Sequence, residues 1–212
     1  LGLYALLLNS WALTSGPDGY GVYLVDSTES LGPPFATLDL SNGYDLGLSG
    51  DQLTEVELPF TWFWDGSSYT SVWISSNGVL FFEGETVSAT GTCPSLDGSW
   101  SGIAGLWMDW EPISVRYQEY GAYPNRIFGV EWFGEAAGYS GSEGVVQVWL
   151  MEGGNSGQSV AIVLDDISFG NPAVDGGASA IVGVESLGTN RGVEWSCSGG
   201  LSDLSFGWFG QE

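Results

Sequence analysis

The sequence predicts an all-β protein, a β-sandwich of antiparallel strands. Short apolar or alternating runs recur between clusters of Gly, Asn, Asp, Ser and Pro, and hardly any segment keeps a helical periodicity. The 11 Trp, 10 Phe and 9 Tyr residues supply bulky side chains for strand faces, and the 34 Gly residues supply turns. A chain of 212 residues is long enough for one large β domain.

The strands can be placed in chain order from these runs. In the run 58–64, Phe60, Trp62 and Trp64 alternate with other residues and are expected on one face. Asn77-Gly78 lies between the runs 71–75 and 79–82 and predicts a tight hairpin, since both residues tolerate positive φ. Further strands are predicted at 101–110, 115–120 paired with 127–133, 145–151 paired with 160–164, 180–185 and 204–208.

The charge balance excludes several classes of function. There are 26 acidic residues and three basic ones, with no Lys and no His, and the net charge is -23. We expect no nucleic-acid partner, because phosphate contacts need clustered Lys and Arg. Binding to an anionic membrane surface is disfavoured for the same reason, and the apolar run 1–8 is too short to span a bilayer.

The composition also argues against catalysis. Without His or Lys, the usual bases for a Ser or Cys nucleophile are missing. A carboxylate pair remains the only acid–base apparatus, either Asp109 with Glu111 or Asp165 with Asp166. Each pair is equally well explained as a solvated strand end or turn. We therefore predict no enzymatic activity and assign no catalytic residues.

Two cysteines, Cys93 and Cys197, lie in Gly- and Ser-rich surroundings. Two cysteines in a chain without histidine disfavour a zinc site. We predict a disulfide, which implies an oxidising compartment and stabilises the fold by about 4–5 kcal/mol in the chain-entropy model. A pair of buried free thiols is the alternative.

Calcium is the one cofactor that the sequence suggests. Oxygen ligands are clustered in two loops that also contain Gly, and such ligands suit Ca²⁺. No EF-hand spacing is present, and ordinary Asx turns explain these residues as well. The candidate ligands are Asp39, Asn42, Asp45, Asp165, Asp166 and Asp175.

Several motifs occur in an order that resembles a bacterial extracellular β module similar to the nidogen-like family. The motifs are Leu58-Pro-Phe60, Ile74–Phe81 with its Ser-Ser-Asn-Gly core, Trp107 and Asp109 followed by Pro112, Arg126–Trp132, Val145–Met151 and Ile181–Glu185. The resemblance covers roughly residues 17–212. It implies a secreted β-sandwich at the cell surface or in an extracellular matrix, and it implies no catalytic residues.

Residues 1–16 precede this module and are strongly apolar. An apolar strand left in water favours aggregation, so the segment is expected to find a partner. Insertion into a neighbouring subunit produces a head-to-tail filament, and folding back as an edge strand of its own domain is the alternative. The residues assigned to this assembly strand are Leu1, Leu3, Tyr4, Ala5, Leu6, Leu7, Leu8, Trp11 and Leu13.

The sequence thus favours an extracellular structural subunit whose partners are copies of itself. The alternative function is a monomeric adhesion module that binds an extracellular glycan or matrix protein. In that case exposed aromatic residues would stack on the ligand, with Trp11, Trp100 and Trp208 as candidates.

Overall fold

The computed structural model describes residues 22–27, 34–83, 90, 100–153, 158–186, 192–197 and 199–211. Within these residues the protein is an antiparallel β-sandwich of two sheets, which confirms the predicted fold class. The strands are β1 (Val22–Asp26), β2 (Tyr44–Asp45), β3 (Leu53–Trp64), β4 (Ser67–Ser75), β5 (Val79–Phe81), β6 (Gly102–Trp107), β7 (Trp110–Tyr120), β8 (Ile127–Ala136), β9 (Tyr139–Met151), β10 (Ser159–Asp166), β11 (Ile181–Glu185), β12 (Gly192–Cys197) and β13 (Ser205–Gln211).

The two sheets differ in strand number. The seven-stranded sheet has the order β1-β13-β10-β9-β8-β7-β2, and the six-stranded sheet has the order β12-β11-β6-β5-β4-β3. A short 3-10 helix at Asp175–Gly177 precedes β11. No helix of the described residues is long and apolar enough to cross a membrane.

The main core lies between the sheets and is built from the alternating faces that the sequence predicts. Phe60, Trp62 and Trp64 on β3 are buried, whereas Phe63 between them is 58% exposed. Trp62 is joined by Trp110 and Trp132 among the largest fully buried side chains. The core therefore combines large aromatic side chains, such as those of β3, with aliphatic side chains from β9, β10 and β11.

The predicted hairpins are confirmed, but some strands are longer than expected. β7 pairs with β8, and β9 pairs with β10. β7 begins at Trp110 rather than at residue 115, because a register shift between Pro112 and Ser114 accommodates the proline. β12 was not predicted, because its short alternation of Val193, Trp195 and Cys197 with polar residues lies among Gly and Ser residues that are typical of loops.

The predicted Asn-Gly turn joins β4 to β5 and is buried. Ser75, Ser76 and Asn77 have no exposed surface. Asn77 donates from Nδ2 to Asp51 Oδ1 at 2.8 Å and accepts from the Trp110 backbone N–H at 3.3 Å. Gly78 is required here because its φ is +79° and a Cβ would lie 2.2 Å from a backbone oxygen of β6. The turn therefore connects β4 and β5 to the segments around Asp51 and Trp110.

A second apolar cluster lies on the outer face of each sheet. On the seven-stranded sheet it includes Trp149 and is packed by residues of the segment 34–40. The Gln147 side chain holds that segment by accepting from the Leu38 N–H at 3.0 Å and donating to the Leu38 carbonyl at 2.8 Å. On the six-stranded sheet the cluster contains Phe81, Trp100 and Trp107 in edge-to-face contacts.

Candidate assembly site

The described chain begins at one end of the sandwich, which we call the entry end. Val22 in β1 is opposite Gln211 in β13, and Ser159 in β10 is opposite both Gly210 and Met151. The chain enters β1 at this end, at Val22, and the apolar residues 1–16 precede it in the sequence. The predicted assembly residues Leu1, Leu3, Tyr4, Ala5, Leu6, Leu7, Leu8, Trp11 and Leu13 lie outside the described residues.

A groove opens at the entry end between the last residues of β3 and the ends of β10 and β13. We call it the entry groove, and its volume is about 240 Å³. None of the described residues that line it carries a charge, although the chain has 26 acidic residues. The lining residues are Trp62, Phe63, Trp64, Gln158, Ser159, Val160 and Phe209.

The Gln158 side chain binds the backbone of β3 at the edge of this groove. Its Oε1 accepts from the Phe63 N–H at 2.6 Å, and its Nε2 donates to the Thr61 carbonyl at 2.8 Å. A residue on a neighbouring parallel strand would bind the same two backbone groups. β3 is the last strand of its sheet among the described strands, so Gln158 covers an edge that is otherwise open to strand addition.

Trp62, one of the residues that line the entry groove, also carries a buried hydrogen-bond donor. Its side chain is 1% exposed, and its Nε1 has no hydrogen-bond partner among the described residues. A buried donor without an acceptor costs about 1–3 kcal/mol. An acceptor supplied from outside the subunit would remove that cost.

Arg126 pairs with Glu152 of its own sheet and also links that sheet to β3. Arg126 Nε lies 2.8 Å from Glu152 Oε2, and Arg126 Nη1 donates to the Pro59 carbonyl in β3. The guanidinium also lies 5.5 Å from the centre of the Phe60 ring. Hydrogen bonding from Arg126 lowers the pKa of Glu152, so the pair is ionised at neutral pH. Arg126 and Gln158 thus both hold the last half of β3 against the seven-stranded sheet.

The sequence profile of the NIDO-related family matches residues 27–198, well over half of the chain. The chain belongs to the NIDO-related family. No curated protein and no solved structure matches the chain significantly. Domains related to nidogen are usually extracellular.

The NIDO-related match is narrower than the range 17–212 suggested by the motifs. It leaves out β1 and β13, which pair with each other at one edge of the seven-stranded sheet. Phe209 in β13 forms part of the wall of the entry groove. The family match therefore covers neither the segment 1–16, which precedes it, nor the groove residue Phe209, which follows it.

The structure places the predicted calcium ligands of the first loop in ordinary turns. Asp39 Oδ1 accepts from the Ser41 N–H at 3.1 Å, and Asp45 Oδ1 accepts from the Gly47 N–H at 2.9 Å. Hydrogen bonds from Ser41 lower the pKa of Asp39. Asn42 is exposed, and its amide lies 3.5 Å from the Ser41 hydroxyl.

The ligands predicted in the second loop also cap backbone groups. Asp166 Oδ1 accepts from the Ser168 N–H at 3.0 Å, and Asp175 Oδ1 accepts from the Asn171 N–H at 3.2 Å. Burial, followed by the charges of Asp166 and Asp203, raises the pKa of Asp165. Among the described residues, no group of three or more Asp, Glu, His or Cys side chains is placed to hold a metal ion. Calcium binding stays a prediction.

The carboxylates considered for catalysis lie at the end of the sandwich opposite the entry end. Asp109 is exposed in the turn between β6 and β7, and Glu111 is exposed two residues later. Burial, together with the charges of Asp51 and Glu111, raises the pKa of Asp109. The buried Asn77 side chain donates to Asp51, so one of the neighbouring carboxylates has a structural role in holding the Asn77 turn.

Two further predictions concern cysteines and tryptophans. Cys93 lies outside the described residues, and Cys197 ends β12 against the outer apolar cluster, so the disulfide stays a prediction. The suggestion that Trp100 is an exposed stacking residue is wrong, because it is 5% exposed and packs on Phe81. Trp11 and the Trp208 side chain lie outside the described part of the chain.

Proposed function

We propose that the protein is an extracellular structural subunit that assembles with copies of itself by inserting residues 1–16 into a neighbouring subunit. One observation carries this proposal: an apolar groove whose described lining residues carry no charge opens at the end of the sandwich where the described chain begins, and the apolar residues 1–16 precede that point in the sequence. Strand addition to a sheet edge gives affinity through backbone hydrogen bonds and specificity through pockets for alternate side chains.

The charge distribution supports contact through this segment. At a net charge of -23, copies of the chain repel one another across most of their surface. Residues 1–17 contain no charged side chain, and Asp18 is the first acidic residue. A contact between this segment and the entry groove therefore buries apolar surface without burying an unpaired carboxylate.

The expected assembly is a filament. The donated segment and the acceptor groove are different surfaces, so the contact is heterologous, and such contacts propagate into a filament when the rotation between subunits does not close into a ring. Sixteen extended residues reach about 50 Å, so a donated segment can extend well away from its own β1. The predicted disulfide between Cys93 and Cys197 would further stabilise such an extracellular subunit.

Deletion of residues 1–16 tests the proposal. The described core is built from residues 22–211, so the truncated chain is expected to fold as a soluble monomer that no longer polymerises. Light scattering coupled to size exclusion measures the mass, and circular dichroism checks the β-sheet content. Polymerisation of the truncated chain to the same extent as the 212-residue chain would refute the proposal.

A monomeric glycan-binding or adhesion module is the second candidate. Tyr123 is 80% exposed, and Tyr44 is 66% exposed with its ring 5.5 Å from that of Tyr117, so both offer faces on which a sugar could stack. This function predicts glycan-array binding by the truncated monomer that is lost in Tyr44→Ala or Tyr123→Ala. An array without signal, together with filaments of the 212-residue chain, would exclude it.

A further inference from the structure

The last half of β3 offers a specific place for a strand from another subunit. Its outward backbone groups at Thr61 and Phe63 are bound by a side chain, Gln158, rather than by a strand. Beside them, Trp62 brings a buried indole N–H without a partner among the described residues. This stretch therefore combines an edge, an apolar groove and an unused donor.

We propose that the entry groove accepts residues 1–16 of a second copy, and that Gln158 occupies this edge of β3 in the free subunit. This inference rests on the proposed function and adds the site of acceptance. The incoming backbone replaces the Gln158 amide at Thr61 and Phe63, and one of its carbonyls accepts from Trp62 Nε1. Apolar side chains of the segment fill the space between Trp64 and Phe209.

Two features favour a second copy over the chain's own segment. Gln158 already satisfies the Phe63 N–H and the Thr61 carbonyl within one chain, so these two backbone groups do not require the chain's own residues 1–16. In addition, the described groove lining and residues 1–17 carry no charge, although the rest of the chain is acidic. Two copies repel each other through their acidic surfaces, so contact between these two uncharged surfaces is the favourable one.

Photo-crosslinking locates the bound segment. Benzoylphenylalanine replaces Phe63 in subunits that lack residues 1–16, and these are mixed with isotopically labelled 212-residue chain. We expect interchain cross-links to residues 1–16, identified by mass spectrometry. Ile113 is the matched control position, because it is 57% exposed against 58% for Phe63 and lies at the opposite end of the sandwich. Equal yields of cross-linking to residues 1–16 at both positions would overturn the inference.

A charge at the groove provides the second test. In the 212-residue chain, Phe63→Asp is expected to lower the amount of polymer by about tenfold or more, because a carboxylate would be buried in an apolar contact. Ile113→Asp adds the same charge elsewhere and is expected to leave polymerisation unchanged. Unfolding curves of both variants check that the monomers are equally stable.

The outcomes separate this inference from the proposed function. If loss of residues 1–16 abolishes assembly but Phe63→Asp assembles like Ile113→Asp, subunits still exchange strands and the acceptor site assigned here is wrong. If loss of residues 1–16 has no effect, the proposed function fails first. An intrachain cross-link from position 63 to residues 1–16 in dilute 212-residue chain would show that the segment binds its own groove, and would also overturn the inference.

Discussion

Replacing Gln158 by Ala tests whether its side chain covers the acceptor edge. The variant loses hydrogen bonds of 2.6 Å and 2.8 Å to β3. Each is worth about 0.5–1.5 kcal/mol, and water replaces part of this because Phe63 is mostly exposed. We therefore expect the free energy of unfolding of the truncated monomer to fall by about 1 kcal/mol.

The same change should accelerate assembly. A loss of about 1 kcal/mol raises the population of the uncovered edge by about fivefold, since 1.4 kcal/mol corresponds to tenfold. If a strand adds only to the uncovered edge, the initial rate of polymerisation of the 212-residue chain rises by the same factor.

Urea unfolding of the truncated monomer and light scattering of the 212-residue chain measure the two effects. Gln158→Glu is the comparison variant, because it keeps an acceptor for the Phe63 N–H but places a carboxylate oxygen where the amide donates to the Thr61 carbonyl. Repulsion between these two oxygens should make its loss of stability at least as large as that of Gln158→Ala. Unchanged stability and an unchanged or slower rate of assembly in Gln158→Ala would refute the reasoning.

Three further predictions concern the groove and the core. Trp62→Phe removes the buried Nε1 donor and should slow assembly by about fivefold if an incoming carbonyl binds it, whereas an unchanged rate would exclude that bond. Asn77→Ala leaves the buried Trp110 N–H without its acceptor and removes the hydrogen bond to Asp51, so it should lower the free energy of unfolding by about 2–4 kcal/mol. The exposed Asn42→Ala should lower it by about 0.5 kcal/mol or less. Burial raises the pKa of the Glu131 carboxyl above its ordinary value. The ionised carboxylate therefore lowers the free energy of unfolding at neutral pH, and this loss disappears as the pH falls through the raised pKa. Glu131→Gln should therefore be the more stable protein in urea at pH 7 but not at pH 4, and an advantage that persists or grows at pH 4 would contradict this assignment.

The sequence predicted the parts of the fold that depend on local alternation. Phe60, Trp62 and Trp64 repeat every second residue, and this period places them on the core side of β3. The Asn77-Gly78 turn was also predictable, because its residue types allow positive φ. Its burial was not, since the residues that cover it come from the segments around Asp51 and Trp110.

The candidate site depends on contacts between distant parts of the chain. Gln158 binds backbone groups 95 and 97 residues away, and Gln147 binds a segment 109 residues away. A glutamine in a loop or strand carries no local pattern that distinguishes these roles from ordinary solvation. The groove could not be predicted either, because its walls come from β3, β10 and β13.

Trp100 shows the same limitation for aromatic residues. The sequence made it one of three candidates for exposed stacking, with Trp11 and Trp208, but a sequence does not show exposure. The structure instead places it against Phe81 and Trp107 on the outer face of the six-stranded sheet. Each sheet has a buried apolar cluster on its outer face in addition to the shared core. An aromatic residue that does not point into the core can therefore still be buried.

Electron microscopy of the 212-residue chain, alone and with an excess of a synthetic peptide of residues 1–16, tests self-assembly most directly. We predict filaments without the peptide, and short or absent filaments with it, because the peptide occupies the acceptor sites. A scrambled peptide of the same composition should have no effect. Monodisperse single particles without peptide, or filaments whose length the peptide does not change, would contradict assembly through residues 1–16.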